Sequence, residues 1–429
     1  FWNSSGCWDT SSIRVSTGIS GSIVVKSPFC RGDSLKFSTT AKKILSYSWF
    51  GPNRFTSNIA KPVITNATKS NVGTYYLAVV DSFGCTDTFS TNVSIYPEVT
   101  SKFTTNDSDQ CLRNNSFVFT STSTVATGSF TAYNWTYSDG SSTNGSPATK
   151  SFSTVGTYSV RLITTTNNGC KDTLSKNVVV YPQASPSFSV NTRKQCLTGN
   201  AYTFTNTSTI ATGTLTYSWN YGDGSAATTA TNGSRTYTAA GLYKVVLTTT
   251  SNNTCTDTAS TYVRVFPQAT RVISLNSYKQ CLRGNSFVAT NTSTITSPGG
   301  PLTWSWNWGD ASSLDTAKNP SHTYSTAGTY KVILTITTAN GCKDTVSKTL
   351  IVTPQSVPNF TINNRTQCLK NNSFTYTSTS TISSGTMTYG WDFGNASTGS
   401  GSPATKSYAS AGVYQVTLTT TSNNGCTDT

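Results

Sequence analysis

Cysteine is the residue whose spacing first suggests chemistry in this chain. Its eleven cysteines form two series. Cys7, Cys85, Cys170, Cys255, Cys342 and Cys426 sit in variants of one heptapeptide, among them "SSGCWDT" (4–10), "SFGCTDT" (82–88), "NNGCKDT" (167–173) and "NNGCTDT" (423–429). Cys30, Cys111, Cys196, Cys281 and Cys368 stand in "FCRGD" or "QCL". Each series recurs about every 85 residues, which implies a disulfide framework and an oxidising compartment, and so a secreted or surface protein. Other chemistry is sparse. His322, in "SHTY", is the one histidine of 429 residues, so no Ser-His-Asp or Cys-His set can recur along the chain, and its expected role is structural. Asp139, Asp223 and Asp310 occupy Gly-rich turns, where a short carboxylate bonds the turn backbone. Calcium is the competing reading. It needs six or more oxygens, several of them anionic, and the whole chain has 16 acidic residues. No catalytic residue, metal or cofactor is expected.

The elements that carry these residues are strands. Only 11% of the residues are charged, and Thr, Ser, Asn, Gly and Tyr are abundant. Thr and Tyr suit half-buried pleated surfaces, and Asn and Gly suit tight turns. Apolar residues show no helical period, and no apolar run is long enough to span a bilayer, so membrane insertion is not expected. The formal charge of +14 is scattered and does not form the stripe of a nucleic-acid reader. Contact with acidic polysaccharide or surface glycans is the alternative use of that charge.

The chain repeats. Trp49, Trp135, Trp219, Trp306 and Trp391 keep the period of the cysteines, as do Pro97, Pro182, Pro267 and Pro354, each of which follows a β-rich run. Proline cannot continue a strand as a ladder donor, so these positions read as short joints. "NAYTFTN" (200–206) turns Tyr202 and Phe204 inward, and "GLYKVVLTTTSNNTC" (241–255) turns Tyr243, Val245 and Leu247 one way before an Asn-rich hairpin. About seven such strands per repeat fit an Ig-like sandwich. Tyr75, Tyr158, Tyr243, Tyr330 and Tyr414, each in "G-x-Y", fall where that architecture places a tyrosine corner. The expected fold is all-β, a linear tandem array of Ig-like sandwich domains. Its parts are 1–17, the last strand of a preceding repeat; an Ig-like domain at 18–97; and further domains at 98–182, 183–267, 268–354 and 355–429, the last without its final strand.

"WTYSDG" (135–140), "WNYGDG" (219–224), "WNWGDA" (306–311) and "WDFGNA" (391–396), with "NPSHTYSTAGTYKVILTITTANGC" (319–342), resemble the signature of PKD domains. Ser138 for the signature Gly and Asn395 for Asp depart from it. Residues 18–97 resemble a bacterial Ig-like repeat, with "YSWFGPNRF" and "VGTYYLAVVDSFGC". Together these resemblances imply a large surface protein of gliding bacteria, exported by the type IX system. In that setting "DTL", "DTA", "DTV" and "DSL" look like O-glycan acceptors, which implies sugar on Thr173, Thr258, Thr316, Thr345 and Ser34. "RGD" at 31–33 is read as a polar turn.

Within one repeat, the two cysteines lie at opposite ends of the sandwich. About six residues of strand separate the ends by roughly 20 Å, whereas bridged Cα atoms are usually less than about 7 Å apart. Stacking domains end to end resolves this conflict through Cys30–Cys170, Cys111–Cys255, Cys196–Cys342 and Cys281–Cys426. Cys7, Cys85 and Cys368 are then left for partners elsewhere. Intradomain bridges remain the default alternative. At roughly 40 Å per sandwich, five domains would span on the order of 200 Å.

The terminal segments allow two readings. In the simpler, the polypeptide continues on both sides; in the other, the leading strand of one subunit completes the last domain of another, as in donor-strand fibres. The expected partners are neighbouring repeats, with self-assembly into a filament as an extension. The expected function is a non-catalytic extracellular stalk, adhesin shaft or filament at a bacterial cell surface. The alternative is a carbohydrate-binding or spacer module of a secreted hydrolase, for which Trp304 and Trp308 beside Trp306 would need to be exposed.

Overall fold

The structure, a computed structural model, describes Ser12, Ile13, Val15 and residues 17–429. Cys7 and most of the 1–17 segment lie outside the described residues. Apart from a 3-10 turn at Lys69–Asn71, the regular structure of the described residues is β. The chain forms two compact units. One holds residues up to 185 with 209–215 and 250–257; the other holds 186–208, 216–249 and 258–429.

In the first unit, residues 18–97 build a four-stranded sheet ordered Phe55–Ser57, Ile44–Gly51, Gly73–Asp81, Thr86–Val93. It closes over Leu35, Phe37, Trp49, Tyr75 and Leu77, all buried. The next repeat has a five-stranded sheet, ordered Asp109–Cys111, Lys171–Tyr181, Gly156–Thr166, Phe130–Tyr137, Ser142–Asn144. A three-stranded sheet, Phe103–Thr105, Phe117–Ser121 and Ala148–Lys150, completes the sandwich. Apolar residues at alternate positions meet between the sheets: Phe117 and Phe119, Trp135 and Tyr137, Val160 and Leu162, Val178 and Val180. The second unit repeats this plan around Trp219, around Trp306 and around Trp391.

Three devices recur and fix each of the four sandwiches after residue 98. A buried tryptophan of ~200 Å² gains about 5 kcal/mol of transfer free energy at ~25 cal/mol per Å², provided its N–H is satisfied. Here it is: Trp135 Nε1 donates to Gly145 O at 2.8 Å, Trp219 to Ala230 O at 3.0 Å, Trp306 to Ala317 O at 3.0 Å and Trp391 to Gly401 O at 2.8 Å. The second device is the tyrosine hydroxyl, which donates to the carbonyl four residues upstream: Tyr158 to Thr154, Tyr243 to Ala239, Tyr330 to Thr326 and Tyr414 to Ser410. The third is a buried asparagine. Asn285 Nδ2 donates to Leu282 O and Tyr324 O while its Oδ1 accepts the Tyr324 N–H; Asn115, Asn200 and Asn372 bond in the same way.

The turn after each tryptophan strand explains one departure from the signature. Gly222, Gly309 and Gly394 have positive φ, and a Cβ there would lie 2.5, 2.7 and 2.4 Å from the Lys244, Lys331 and Gln415 carbonyl oxygens. Ser138 takes that place in the second repeat by a different route: its N–H donates to Ser159 O and its Oγ accepts the Ser159 N–H at 3.0 Å. Two residues on, Gly140 and Gly224 have φ of 85° and 79°, but Ala311 and Ala396 are held at 62° and 64°. A non-glycine residue in the left-handed region costs roughly 1–2 kcal/mol. Ala311→Gly and Ala396→Gly should therefore each stabilise their repeat, by about 1 kcal/mol, read as slower hydrogen exchange confined to that repeat.

Candidate functional site: the disulfide-clamped joints

The strand length that separates the two cysteines of a repeat is larger than the sequence estimate. "QCL" is not in a turn. Asp109–Cys111 is a short strand paired in parallel with the end of Lys171–Tyr181, with Cys111 opposite Tyr181. Cys170 precedes the start of that same 11-residue strand, so the two cysteines stand roughly 35 Å apart at ~3.3 Å per residue. The estimate of about 20 Å was low because it allowed only six residues of strand. Lys194–Cys196 and Lys279–Cys281 pair in the same way with the ends of their final strands.

Each of these cysteines is instead bonded to the hairpin cysteine of the following repeat. Cys30 joins Cys170 with Cα atoms 5.3 Å apart; Cys111–Cys255, Cys196–Cys342 and Cys281–Cys426 each span 5.6 Å. Cys85 and Cys368 are free thiols, the first half-buried and the second exposed.

Around the sulfurs lies a set of contacts that the cysteine spacing did not reveal. The glutamine after Pro182, Pro267 and Pro354 reaches the hairpin of its own repeat: Gln183 Nε2 donates to Thr256 O at 2.6 Å, Gln268 to Lys343 O at 2.7 Å and Gln355 to Thr427 O at 2.6 Å. The Asp of "C-x-D-T" meets an arginine: Asp257 with Arg113 at 2.5 Å, Asp344 with Arg271 at 3.2 Å, and Asp428 with Arg283. Asp257 and Asp428 are 8% and 3% exposed, so these pairs are shielded on the carboxylate side, where screening is weak. At Cys30–Cys170, Asp172 accepts the Ser101 N–H at 2.7 Å, and Arg31 pairs with Glu98. The bridge there packs with Val99, Tyr96, Val125 and Phe130 into a small apolar core of its own. The recurring "PQ" and "C-x-D-T" were the available signals, since both repeat in step with the cysteines.

Of the remaining residues singled out by sequence, the turn aspartates, His322 and the tryptophans fall outside the joints, whereas Asp33 and the Thr of "C-x-D-T" lie beside them. Asp139, Asp223 and Asp310 each accept the N–H and hydroxyl of the serine two residues on. Each also pairs with a basic group on a neighbouring strand: Lys150 at 2.8 Å, Arg235 at 2.5 Å and His322 at 2.7 Å. His322 also stacks on Trp308. Among the described residues no group of three or more His, Cys, Asp or Glu is arranged to hold a metal. Asp33 of "RGD" is engaged by Lys26 Nζ at 2.8 Å and the Cys30 N–H at 3.1 Å. Trp306 and Trp308 are buried and Trp304 half-buried, so they form no open aromatic platform. Thr173, Thr258, Thr316, Thr345 and Ser34 are all exposed.

The turn carboxylates make stability depend on acid. Burial pushes the Asp139 and Asp310 carboxyls up. Hydrogen bonds from Lys150 and Ser141, and from Ser312 and His322, outweigh it and hold both at about 2; Asp223 is lowered by the same balance. A carboxyl whose folded pKa lies below its unfolded value of 3.8 adds stability above about pH 4 and loses it as pH falls toward 2. The triple variant Asp139→Asn, Asp223→Asn, Asp310→Asn should melt below the parent at pH 6 and together with it near pH 2. A melting gap of the same size at both pH values would contradict this.

Fold and joints together define the class: a tandem array of Ig-like β-sandwiches with a disulfide at successive junctions. The PKD domain profile matches residues 103–180, 183–265, 272–353 and 355–429, well over half of the chain, and the chain belongs to the PKD-domain family. No curated protein matches it significantly in sequence. Among solved structures it is similar to the three N-terminal domains of the bacteriophage RB49 outer capsid protein Hoc (13% identity, 58% of this chain and 99% of that one, TM-score 0.31). It is also similar to a tetra-tandem repeat from the extending region of a large adhesion protein (15% identity, 78% and 99%, TM-score 0.27). Sidekick-1 immunoglobulin domains 1–4 are a third (13% identity, 78% and 99%, TM-score 0.25).

Proposed function

We propose that this chain is a non-catalytic extracellular spacer, the shaft of a surface stalk or adhesin, whose work is to carry load between its ends. The observation that supports this reading is the recurrence of one covalent clamp at four successive joints, each backed by hydrogen bonds or an ion pair. A non-covalent interface between small domains yields to tension, whereas a disulfide holds until it is reduced. The bridges also favour an oxidising setting outside the cytoplasm, and the resemblance to exported surface proteins makes a bacterial cell surface the natural site. The exposed hydroxyls of Thr173, Thr258, Thr316, Thr345 and Ser34 would carry the O-glycans there. An intact mass equal to that of the bare sequence, measured on protein from its native source, would rule the sugars out. The inward packing of Trp306 and Trp308 weighs against the carbohydrate-binding alternative.

Small-angle scattering tests the shaft directly. A chain with a span on the order of 200 Å should give a radius of gyration near ~60 Å, against ~22 Å for a compact globule of this length. A value near the lower figure would refute the proposal.

A further inference from the structure

The repeat around Trp219 presents a face that its neighbours do not. Residues 183–267 hold five basic residues and two acidic ones. Both carboxylates are engaged, Asp223 by Arg235 and Asp257 by Arg113. Arg193, Lys194, Lys244 and Arg264 form no ion pair. The sheet gathers three of these four cations on one side. Lys194 lies directly opposite Arg264 across the parallel ladder. Val263 and Val265 point into the core, so Tyr262 and Arg264 point out; Tyr243 and Val245 point in, so Leu242 and Lys244 point out. The Ser251 N–H donates to Cys255 O, as the Thr338 N–H does to Cys342 O. The register that puts Lys331 opposite Thr349 and Thr329 opposite Ile351 therefore puts Lys244 opposite Tyr262 and Leu242 opposite Arg264.

Strands lie ~4.8 Å apart and alternate residues ~6.7 Å apart along a strand. Lys194 and Arg264 are therefore about 5 Å apart at the backbone, and Arg264 and Lys244 about 8 Å. Tyr262 and Leu242 stand among them, 55% and 54% exposed. Arg193, exposed at the sheet edge, gives its carbonyl to the Arg264 N–H at 2.8 Å and adds a fourth cation beside the face. The neighbouring repeats keep the strands but not the chemistry. In the repeat around Trp135 the same positions are Asp109, Val179, Asn177, Ser159 and Thr157. In the repeat around Trp306 they are Lys279, Ile351, Thr349, Lys331 and Thr329, and the Lys279 ammonium is taken up by Asn424 Oδ1 at 3.0 Å. The strand plan thus requires neither the cations nor the exposed tyrosine.

We infer that the outer sheet face formed by Lys194, Arg264, Tyr262, Lys244 and Leu242 binds a uronic-acid polysaccharide, a chain with one carboxylate on each sugar ring. The cations are spread over the face with apolar surface between them, which matches a polymer that alternates charge with the apolar side of a ring. Arg264 can take a carboxylate through two parallel N–H donors, and the lysines act as point charges. The ring of Tyr262 offers a pyranose a flat apolar body and a polar tip. A duplex with one phosphate per ~1.7 Å of axis would bring more charge than these cations meet, as would a sugar chain with several sulfates per ring. This contact uses charge on a flat sheet and not the aromatic platform that Trp304 and Trp308 fail to form.

The inference does not rest on the load-bearing reading, which scattering tests separately. The full chain should bind immobilised polygalacturonate at low ionic strength, and added salt should weaken the binding because the paired charges are exposed. A variant with Lys194→Asp, Lys244→Ser, Tyr262→Asn and Arg264→Val gives this face the residues that the repeat around Trp135 carries there, so the sandwich is retained. Its affinity should fall about tenfold or more. Lys42→Asp, Lys318→Ser and Lys331→Ser together remove the same net charge from exposed positions elsewhere and should leave affinity within about threefold of the parent. Tyr262→Asn alone should weaken binding about threefold or more without changing its response to salt. Three results would overturn the proposal: no retention of the parent on polygalacturonate, an equal loss in the variant altered elsewhere, or competition by dextran sulfate or duplex DNA as effective as that by free polygalacturonate at equal charge.

Discussion

Pulled from its two ends without reductant, the chain should extend to only about 420 Å, and with reductant to about 1,500 Å. The difference follows from how the four bridges interlock. Cys111 lies within the loop closed by Cys30–Cys170 while its partner Cys255 lies beyond it, and the next two bridges overlap in the same manner. The shortest covalent route runs from the start to Cys30, across to Cys170, back to Cys111, across to Cys255, along to Cys281, across to Cys426 and out. That is roughly 120 residues, and a fully extended chain gains at most ~3.3–3.6 Å per residue. Unfolding a repeat under load therefore releases little length, because most of its residues lie inside closed loops. Single-molecule force spectroscopy with handles at the two ends reads this directly. A tether that reached ~1,500 Å under oxidising conditions would show that the bridges do not form in this pattern. The hydrogen bonds of Gln183, Gln268 and Gln355 should affect the force of the first yield and leave the final length unchanged.

The all-β class and the repeat period were legible because they rest on residues with few structural alternatives. A tryptophan every ~85 residues, flanked by alternating Thr and Tyr, suits a half-buried pleated surface and little else. The proline after each long β run marks where ladder donation stops. Other features were hidden for physical reasons. Lys194–Cys196 is three residues long, too short for any alternation to register, and its parallel pairing joins segments about 70 residues apart. The contacts of Asp139, Asp223 and Asp310 with Lys150, Arg235 and His322 use three different residue types, so no motif announces them. The arginines at the joints come from different places in the repeat: Arg113 and Arg283 follow the cysteine, but Arg271 follows the proline.

The buried asparagine shared by the four repeats after residue 98 was equally silent in sequence, since Asn is abundant throughout, and its removal should do more damage than its size suggests. Asn285 is 4% exposed. It satisfies three backbone groups at once, the carbonyls of Leu282 and Tyr324 and the N–H of Tyr324, at 2.7, 2.9 and 2.8 Å. In doing so it ties the loop after Cys281 to the segment carrying Tyr324, whose hydroxyl in turn donates to Trp308 O at 2.7 Å. Asn285→Ala leaves all three groups buried without a partner, and an unsatisfied buried group costs roughly 1–3 kcal/mol. Water entering the vacated space will recover part of this, so a net loss of about 3 kcal/mol is expected. Asn285→Asp should cost at least as much, because the carboxylate keeps the acceptor but cannot donate to the two carbonyls, and its charge would be buried unpaired. A multidomain chain does not unfold as one transition, so a single melting temperature would blur the effect. Hydrogen exchange resolved by mass spectrometry isolates it. Amides of Leu302–Asn307 and Gly328–Thr338 should exchange about 100-fold faster in Asn285→Ala, the equivalent of about 3 kcal/mol at 1.4 kcal/mol per tenfold, while those around Trp135 stay as they are. Unchanged protection in those two strands would show that the asparagine only decorates a loop, whereas loss spreading into the neighbouring repeats would mean that the clamped joints couple their folding.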